Sequence, residues 1–203
     1  MLFYGKICTL YISTLENGAI KVIVLASNSP RRKQLLELAG IDFTVIPANA
    51  DETLPDNINS PGEASEYLSK IKARSVFDGK NTVIGADTVV SVDNMILGKP
   101  GNIEEARHML SLLSGKTHSV FTGVTIISPQ GENTFCCETK VEFYPLTSME
   151  IDDYVQSGEP MDKAGAYGIQ GKGCLLIKRI EGDYFNVVGL PIASVVRELR
   201  KLK

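Results

Sequence analysis

Apolar positions along this chain follow two periods, and the switches between them outline its elements. "KVIVLAS" (21–27) is a near-continuous apolar run, as in a strand buried on both faces. Pro30 to Ala39 then carries Leu35, Leu36 and Ala39 at helical spacing behind Ser29, a good N-cap. "DFTVIPA" (42–48) reads as a strand and "DETLPDNINSPG" (51–62) as a loop. Gly62 to Phe77 is helical, with Leu68, Ile71 and Val76 on its buried side. "NTVIGADTVVSV" (81–92) is a strand interrupted at Gly85-Ala86-Asp87, and "DNMILGKP" gives a turn, a short strand and another turn. A helix is expected from Ile103 to Leu113, then a β-hairpin over 119–144 turning at Pro129 to Asn133. Ser148 to Gln156 is a helix begun by Thr147 or Ser148. "GCLLIKRIEGDYFNVVG" (173–189) holds one or two strands, and Pro191 opens a last helix to about Lys201.

Strands and helices alternate early and a hairpin arrives late, which predicts an α/β fold with a mixed sheet. A length of 203 residues suits one domain, or one domain with two lobes. The first residues stand apart. "KICTLYISTL" is apolar, but threonine and serine dilute it and no A-x-A site follows, which argues against a signal peptide. Asn17-Gly18 between "CTLYIS" and "KVIVLAS" signals a hairpin, so residues 1–20 read as an extension with an added strand and 21–203 as the main domain.

Composition narrows the class. The chain is 43% hydrophobic and 22% charged, enough to bury a real core. Its net charge of −3 gives no basic stripe for nucleic acid or an anionic membrane, so anion binding must be local. No apolar run is long enough to span a bilayer. Cys8, Cys136, Cys137 and Cys174 lack zinc spacing and read as reduced thiols of a cytoplasmic protein.

Local charge is where chemistry shows. Arg31, Arg32 and Lys33 sit at a helix start that already carries partial positive charge. Three cations there are unfavourable by roughly 0.3–1 kcal/mol each if exposed, so the arrangement calls for an anion. Asp51 and Glu52 follow the second strand, Lys72 lies on the second helix, and Lys99 sits between a glycine and a proline. Asp87 interrupts an apolar strand, where a carboxylate is costly unless paired or metal-bound. "EPMDKAGAYGIQGKG" packs Lys163, Gln170, Lys172 and several glycines into one loop. Cations with two or three carboxylates are what a metal–polyphosphate complex requires: arginine and lysine hold phosphate oxygens, and Asp or Glu holds Mg²⁺. His108 and His118 read as structural. Gly115-Lys116-Thr117 is no P-loop, because the glycine needed five residues earlier is Leu110.

"LASNSPRR", "VIGADTVV", "LGKP", "LSGKTHSVFTGV", "EPMDKAGAYGIQGKG" and "NVVGLP" together resemble the Maf family of nucleoside triphosphate pyrophosphatases, in the family's order from Val22 to Pro191. The resemblance implies a two-lobed α/β fold, a mixed sheet flanked by helices, and an active-site cleft between the lobes. It implies a divalent metal (Mg²⁺ or Mn²⁺), often a homodimer, and hydrolysis of a nucleoside triphosphate to monophosphate and pyrophosphate. "KAGAYGIQG" resembles the branch acting on dTTP and UTP. By the same resemblance Asp87 is the general base and a metal contact, and Glu52 is a metal ligand. Arg31, Lys72 and Lys99 neutralise phosphate charge, Ser27 and Arg32 contribute to substrate binding, and Thr88 and Gln170 help choose the base. Asp51 also fits the carboxylate position beside Glu52. The rival reading is a nucleotide- or nucleic-acid-binding regulator of cell division. Against it, Asp87 and Glu52 would repel phosphates unless a metal joined them.

Overall fold

The computed structural model describes residues 22–202, together with the short strands β1 (Leu15–Glu16) and β2 (Ala19–Ile20). These two pair antiparallel across residues 17–18 and form a sheet of their own. The strand expected over "CTLYIS" lies outside the described residues. Seven strands build the main sheet: β3 (Ile23–Leu25), β4 (Phe43–Val45), β5 (Thr82–Val92), β6 (Met95–Leu97), β7 (Thr117–Ser128), β8 (Gly131–Phe143) and β9 (Ile177–Glu181). Their order is β4-β3-β5-β7-β8-β9, with β6 folded back on β5. β3 runs parallel to β4 and β5, whereas the β5-β7-β8-β9 pairings are antiparallel, so the sheet is mixed as expected. Among the described residues six α-helices accompany it: α1 (Pro30–Leu38), α2 (Pro61–Arg74), α3 (Ile103–Leu113), α4 (Ser148–Gln156), α5 (Tyr184–Val188) and α6 (Ile192–Lys201).

Three local expectations need correction. β5 runs unbroken through Gly85-Ala86-Asp87, with Gly85 in register with Thr125 and Asp87 with Gly123. The glycines serve the layer above instead. A Cβ at Gly85 would lie 2.3 Å from the Ser69 carbonyl oxygen, and one at Gly123 2.2 Å from that of Ser65. The sheet is bare there so that α2 can press directly on it. Accordingly, the buried stripe of α2 is Ala64, Ser65, Leu68, Ser69 and Ala73, while Ile71 and Val76 are only half-buried. The Ser69 hydroxyl stays satisfied by the Glu66 carbonyl and by Thr125 Oγ1, each at 2.8 Å.

The hairpin loop is tighter than expected, with only Pro129 and Gln130 between β7 and β8. Of the one or two strands expected over 173–189 the structure has one, β9, followed by helix α5. Asp183 ends the extended run by capping α5, its carboxylate accepting from the Phe185 N–H at 2.8 Å.

Apolar side chains collect at the two ends of the long strands. Ile84 and Ala86 of β5 join Val124 and Ile126 of β7, Leu25, Leu36 and Leu190 in one cluster. Val90 and Val92 of β5 join Val120 of β7, Leu110, Phe143 and Tyr154 in another. Between them, the same two strands carry Asp87, Thr88 and Thr122. Cys136 and Cys137 on β8 are free thiols, and burial pushes both above the usual thiol range. Among the described residues no helix is long and apolar enough to cross a membrane.

Candidate active site

One cavity of about 390 Å³ opens at this polar waist. Ser27, Arg31, Arg32, Glu52, Lys72, Asp87, Thr88, Lys99 and Gln170 all line it, so the residues singled out along the sequence meet in one place. Five cations (Arg31, Arg32, Lys72, Lys99, Lys163) face three carboxylates (Glu52, Asp87, Asp162), which leaves an excess of positive charge for an anion to satisfy.

The close seating of α2 brings the central pair together. Lys72 Nζ lies 2.6 Å from Asp87 Oδ1 and 3.0 Å from Glu52 Oε2. Lys72 and Asp87 are mostly shielded, at 13% and 15% side-chain exposure, whereas Glu52 stands at the rim at 57%. Asp51 and Glu52, equivalent in the sequence, are separated here. Asp51 does not line the cavity; its carboxylate accepts from the Thr53 hydroxyl and N–H, at 2.7 and 3.0 Å. Those bonds hold it below the usual carboxylate range.

The start of α1 forms the opposite wall. Ser29 occupies the N-cap position, but its side chain caps nothing, which departs from expectation. Its own N–H donates to Ser27 Oγ at 3.2 Å. The first-turn N–H groups therefore have no capping side chain beside a cavity that Pro30 and Arg31 also line. Arg31 reaches Asp162 Oδ2 at 3.1 Å, and Lys163 reaches the other oxygen of that carboxylate at 2.6 Å. Lys33 points away and sits 3.9 Å from Glu37 on the exposed face.

Arg32 differs from Arg31. Its guanidinium is half-buried and held by three neutral acceptors: the Gly189 carbonyl at 2.8 Å, Thr88 Oγ1 at 3.1 Å and Ser27 Oγ at 3.2 Å. Burial lowers its pKa, against the attraction of Asp87. An arginine only donates. Ser27 Oγ thus accepts from both Arg32 and the Ser29 N–H, which leaves its own proton available to the cavity.

The glycine-rich loop closes the far side. The Gly165 N–H donates to the Gly98 carbonyl at 3.0 Å, tying this loop to the turn that carries Lys99. Lys99 makes no ion pair with a described residue. Gly165 has a φ of +69° and packs so near Val90 that a Cβ would come within 2.9 Å of it. Beneath the loop, Tyr167 pairs its hydroxyl with His118 Nε2 at 2.7 Å, and both rings meet Phe143 edge-on.

Asp162, Tyr167 and the Gly189 carbonyl escaped the sequence reading. Asp162 lay within a quoted motif but looked like any loop carboxylate, Tyr167 like a core aromatic, and a backbone carbonyl leaves no side-chain signal at all. Among the described residues, no three His, Cys, Asp or Glu side chains form a ready metal cluster.

Comparison with known proteins gives the family of the chain. Residues 22–202 match the family model described as "Maf-like protein". A "dTTP/UTP pyrophosphatase" of Geobacillus sp. is 54% identical over 185 residues, covering 90% of this chain and 99% of the relative. One of Bacillus cereus is 52% identical over 184 residues, covering 90% of this chain and 96% of its own. Likeness to solved structures is more distant: a HAM1 protein from Coxiella burnetii gives a TM-score of 0.48 at 14% identity, covering 90% of this chain and 100% of that one. With a family model spanning nearly the whole chain and relatives above half identity, this protein belongs to the Maf family.

Proposed function

We propose that this chain hydrolyses dTTP and UTP between the α- and β-phosphates, releasing the monophosphate and pyrophosphate. The observation that carries the reading is the uncapped start of α1 with Arg31, facing the same cavity as the Lys72–Asp87 pair. The names of the relatives point to the same substrates. The two apolar clusters on either side of Asp87, Thr88 and Thr122 support two lobes with the cavity as the cleft between them. A homodimer and a cytoplasmic location belong to the same reading.

The triphosphate rests on α1, where backbone N–H groups and the Ser27 hydroxyl donate to its oxygens and Arg31 neutralises charge. Lys72 and Lys99 add positive charge from the other side. Such preorganised charge is usually the largest catalytic contribution. Lys72 holds one oxygen of Asp87, which orients the other toward a water. Asp87 takes that water's proton as its oxygen bonds to the α-phosphorus. The α–β bridging bond breaks, and its electron pair leaves on pyrophosphate. A divalent metal such as Mg²⁺ or Mn²⁺ fits the donors present: Asp87 and Glu52, which converge at Lys72 on one edge of the cavity, would hold it through hard carboxylate oxygens. When bound, it would offset phosphate charge. Gln170 offers an amide donor and acceptor, and a uracil or thymine ring presents an N–H between two carbonyls that can pair with either end.

The test is kcat/KM over dTTP, UTP, CTP, ATP and GTP, with products resolved by chromatography. The expected result is preference for dTTP and UTP with monophosphate and pyrophosphate as products. Orthophosphate as the sole inorganic product overturns the reading, and nucleotide binding without turnover replaces it with the regulator.

A further inference from the structure

Behind the cavity wall, the direction of every proton in one hydrogen-bond chain can be assigned. Arg32 donates to Thr88 Oγ1 at 3.1 Å. Thr122 Oγ1 lies 3.0 Å from the Asn186 carbonyl oxygen, which can only accept, so the single Thr122 proton goes there. That carbonyl is firmly placed, since the Asn186 side-chain amide donates to the Val120 carbonyl and to Thr139 Oγ1, both at 3.0 Å. Thr88 and Thr122 hydroxyls are 3.0 Å apart. With the Thr122 proton committed, the proton between them is that of Thr88. Thr88 has therefore spent its only proton inward and one lone pair on Arg32. What it can still offer the cavity is one lone pair.

We propose that Thr122, fully buried and outside the cavity lining, is a specificity-positioning residue that makes Thr88 an acceptor toward the bound base. This rests on the pyrimidine-nucleotide reading above. An acceptor-only hydroxyl matches the ring N–H of uracil and thymine. It opposes the bare ring nitrogen of cytosine, where two acceptors would face each other. A site whose polar groups are left unpaired discriminates strongly against the mismatched analogue.

The experiment compares kcat/KM for UTP and CTP in the wild type, Thr122→Val and Thr122→Ser. Valine keeps the shape but removes the acceptor, so the Thr88 hydroxyl can turn and donate into the cavity. We expect the UTP-over-CTP ratio to fall about tenfold or more in Thr122→Val, with CTP hydrolysis rising, and to stay within about twofold of wild type in Thr122→Ser. Equal losses on both substrates in Thr122→Val, or a serine variant that loses the ratio as valine does, overturn the proposal. An independent arm needs no variant. UTP methylated at the ring nitrogen lacks the N–H and should be a much poorer substrate for the wild type; cleavage as fast as UTP overturns the proposal. A wild type that cleaves neither UTP nor CTP instead overturns the pyrophosphatase reading itself.

Discussion

Lys72 Nζ bridges two carboxylates, lying 2.6 Å from Asp87 Oδ1 and 3.0 Å from Glu52 Oε2. The lysine comes from a helix, Asp87 from the middle of a strand, and Glu52 from the loop before that helix. The contact exists because Gly85 and Gly123 leave the sheet bare under α2. Asp87→Asn keeps size and one hydrogen-bonding oxygen while removing charge and basicity. A general base is worth about 10²–10⁴ in rate. Turnover should fall at least about a hundredfold, with the melting temperature near that of the wild type. Near-normal kcat in a folded Asp87→Asn protein would remove Asp87 from the base role.

The same two carboxylates predict metal dependence. Chelation should abolish activity, and Mg²⁺ or Mn²⁺ should restore it, because both favour oxygen ligands. Glu52→Gln should raise the metal concentration needed for half-maximal rate more than it lowers the rate at saturating metal. Full activity after exhaustive chelation contradicts the role given to Glu52.

Arg31 is shared between Asp162 and the proposed phosphate site. Arg31→Ala should raise KM for the triphosphate about tenfold or more, since a charge-assisted hydrogen bond is worth about 1.5–3 kcal/mol. Asp162→Asn should act in the opposite direction by releasing Arg31. Exposed ion pairs are worth about 0.2–1 kcal/mol, so the drop in KM should not exceed about fivefold. Unchanged kinetics in Arg31→Ala would reduce the start of α1 to a solvated surface.

Burial lowers the pKa of His118 to about 4. An unfolded histidine titrates near 6.5. Above that pH neither state binds the proton, and His118 contributes no pH dependence. As pH falls from about 6.5 toward 4, the unfolded chain takes up a proton that the native site refuses, so stability falls, by about 3 kcal/mol at full protonation. His118→Phe should flatten that part of the profile while lowering stability at neutral pH, because the buried Tyr167 hydroxyl loses its partner. Urea midpoints at pH 7 and pH 4.5 for both proteins test this, and parallel profiles would assign the acid sensitivity elsewhere.

Much of this was written in one dimension. Arg31 beside Pro30, Asp87 inside an apolar run and Lys99 between glycine and proline each broke a local rule, and each lines the cavity. Periodicity placed most elements, because apolar spacing and caps act within a few residues. It failed where a distant partner decided the outcome. Gly85-Ala86-Asp87 reads as a strand break because α2, whose approach Gly85 permits, cannot be seen from within that stretch. Ile71 looked like the buried face of α2 because hydrophobicity cannot report that a helix seated on bare backbone buries serine and alanine instead.

By itself, then, the sequence determined the α/β class, the family, and the residue types able to hold a metal–triphosphate complex, since these depend on local pattern and on motifs in order. Only the tertiary structure decided which carboxylate faces the cavity, Glu52 and not Asp51, and that of two arginines lining it Arg31 pairs with Asp162 while Arg32 is held by Gly189, Thr88 and Ser27. Neighbouring residues of one charge are interchangeable in a linear reading. They part company only when the packing around each assigns it different partners: the nearby Thr53 for Asp51 but Lys72 of α2 for Glu52, and Asp162 for Arg31 but Gly189, Thr88 and Ser27 for Arg32.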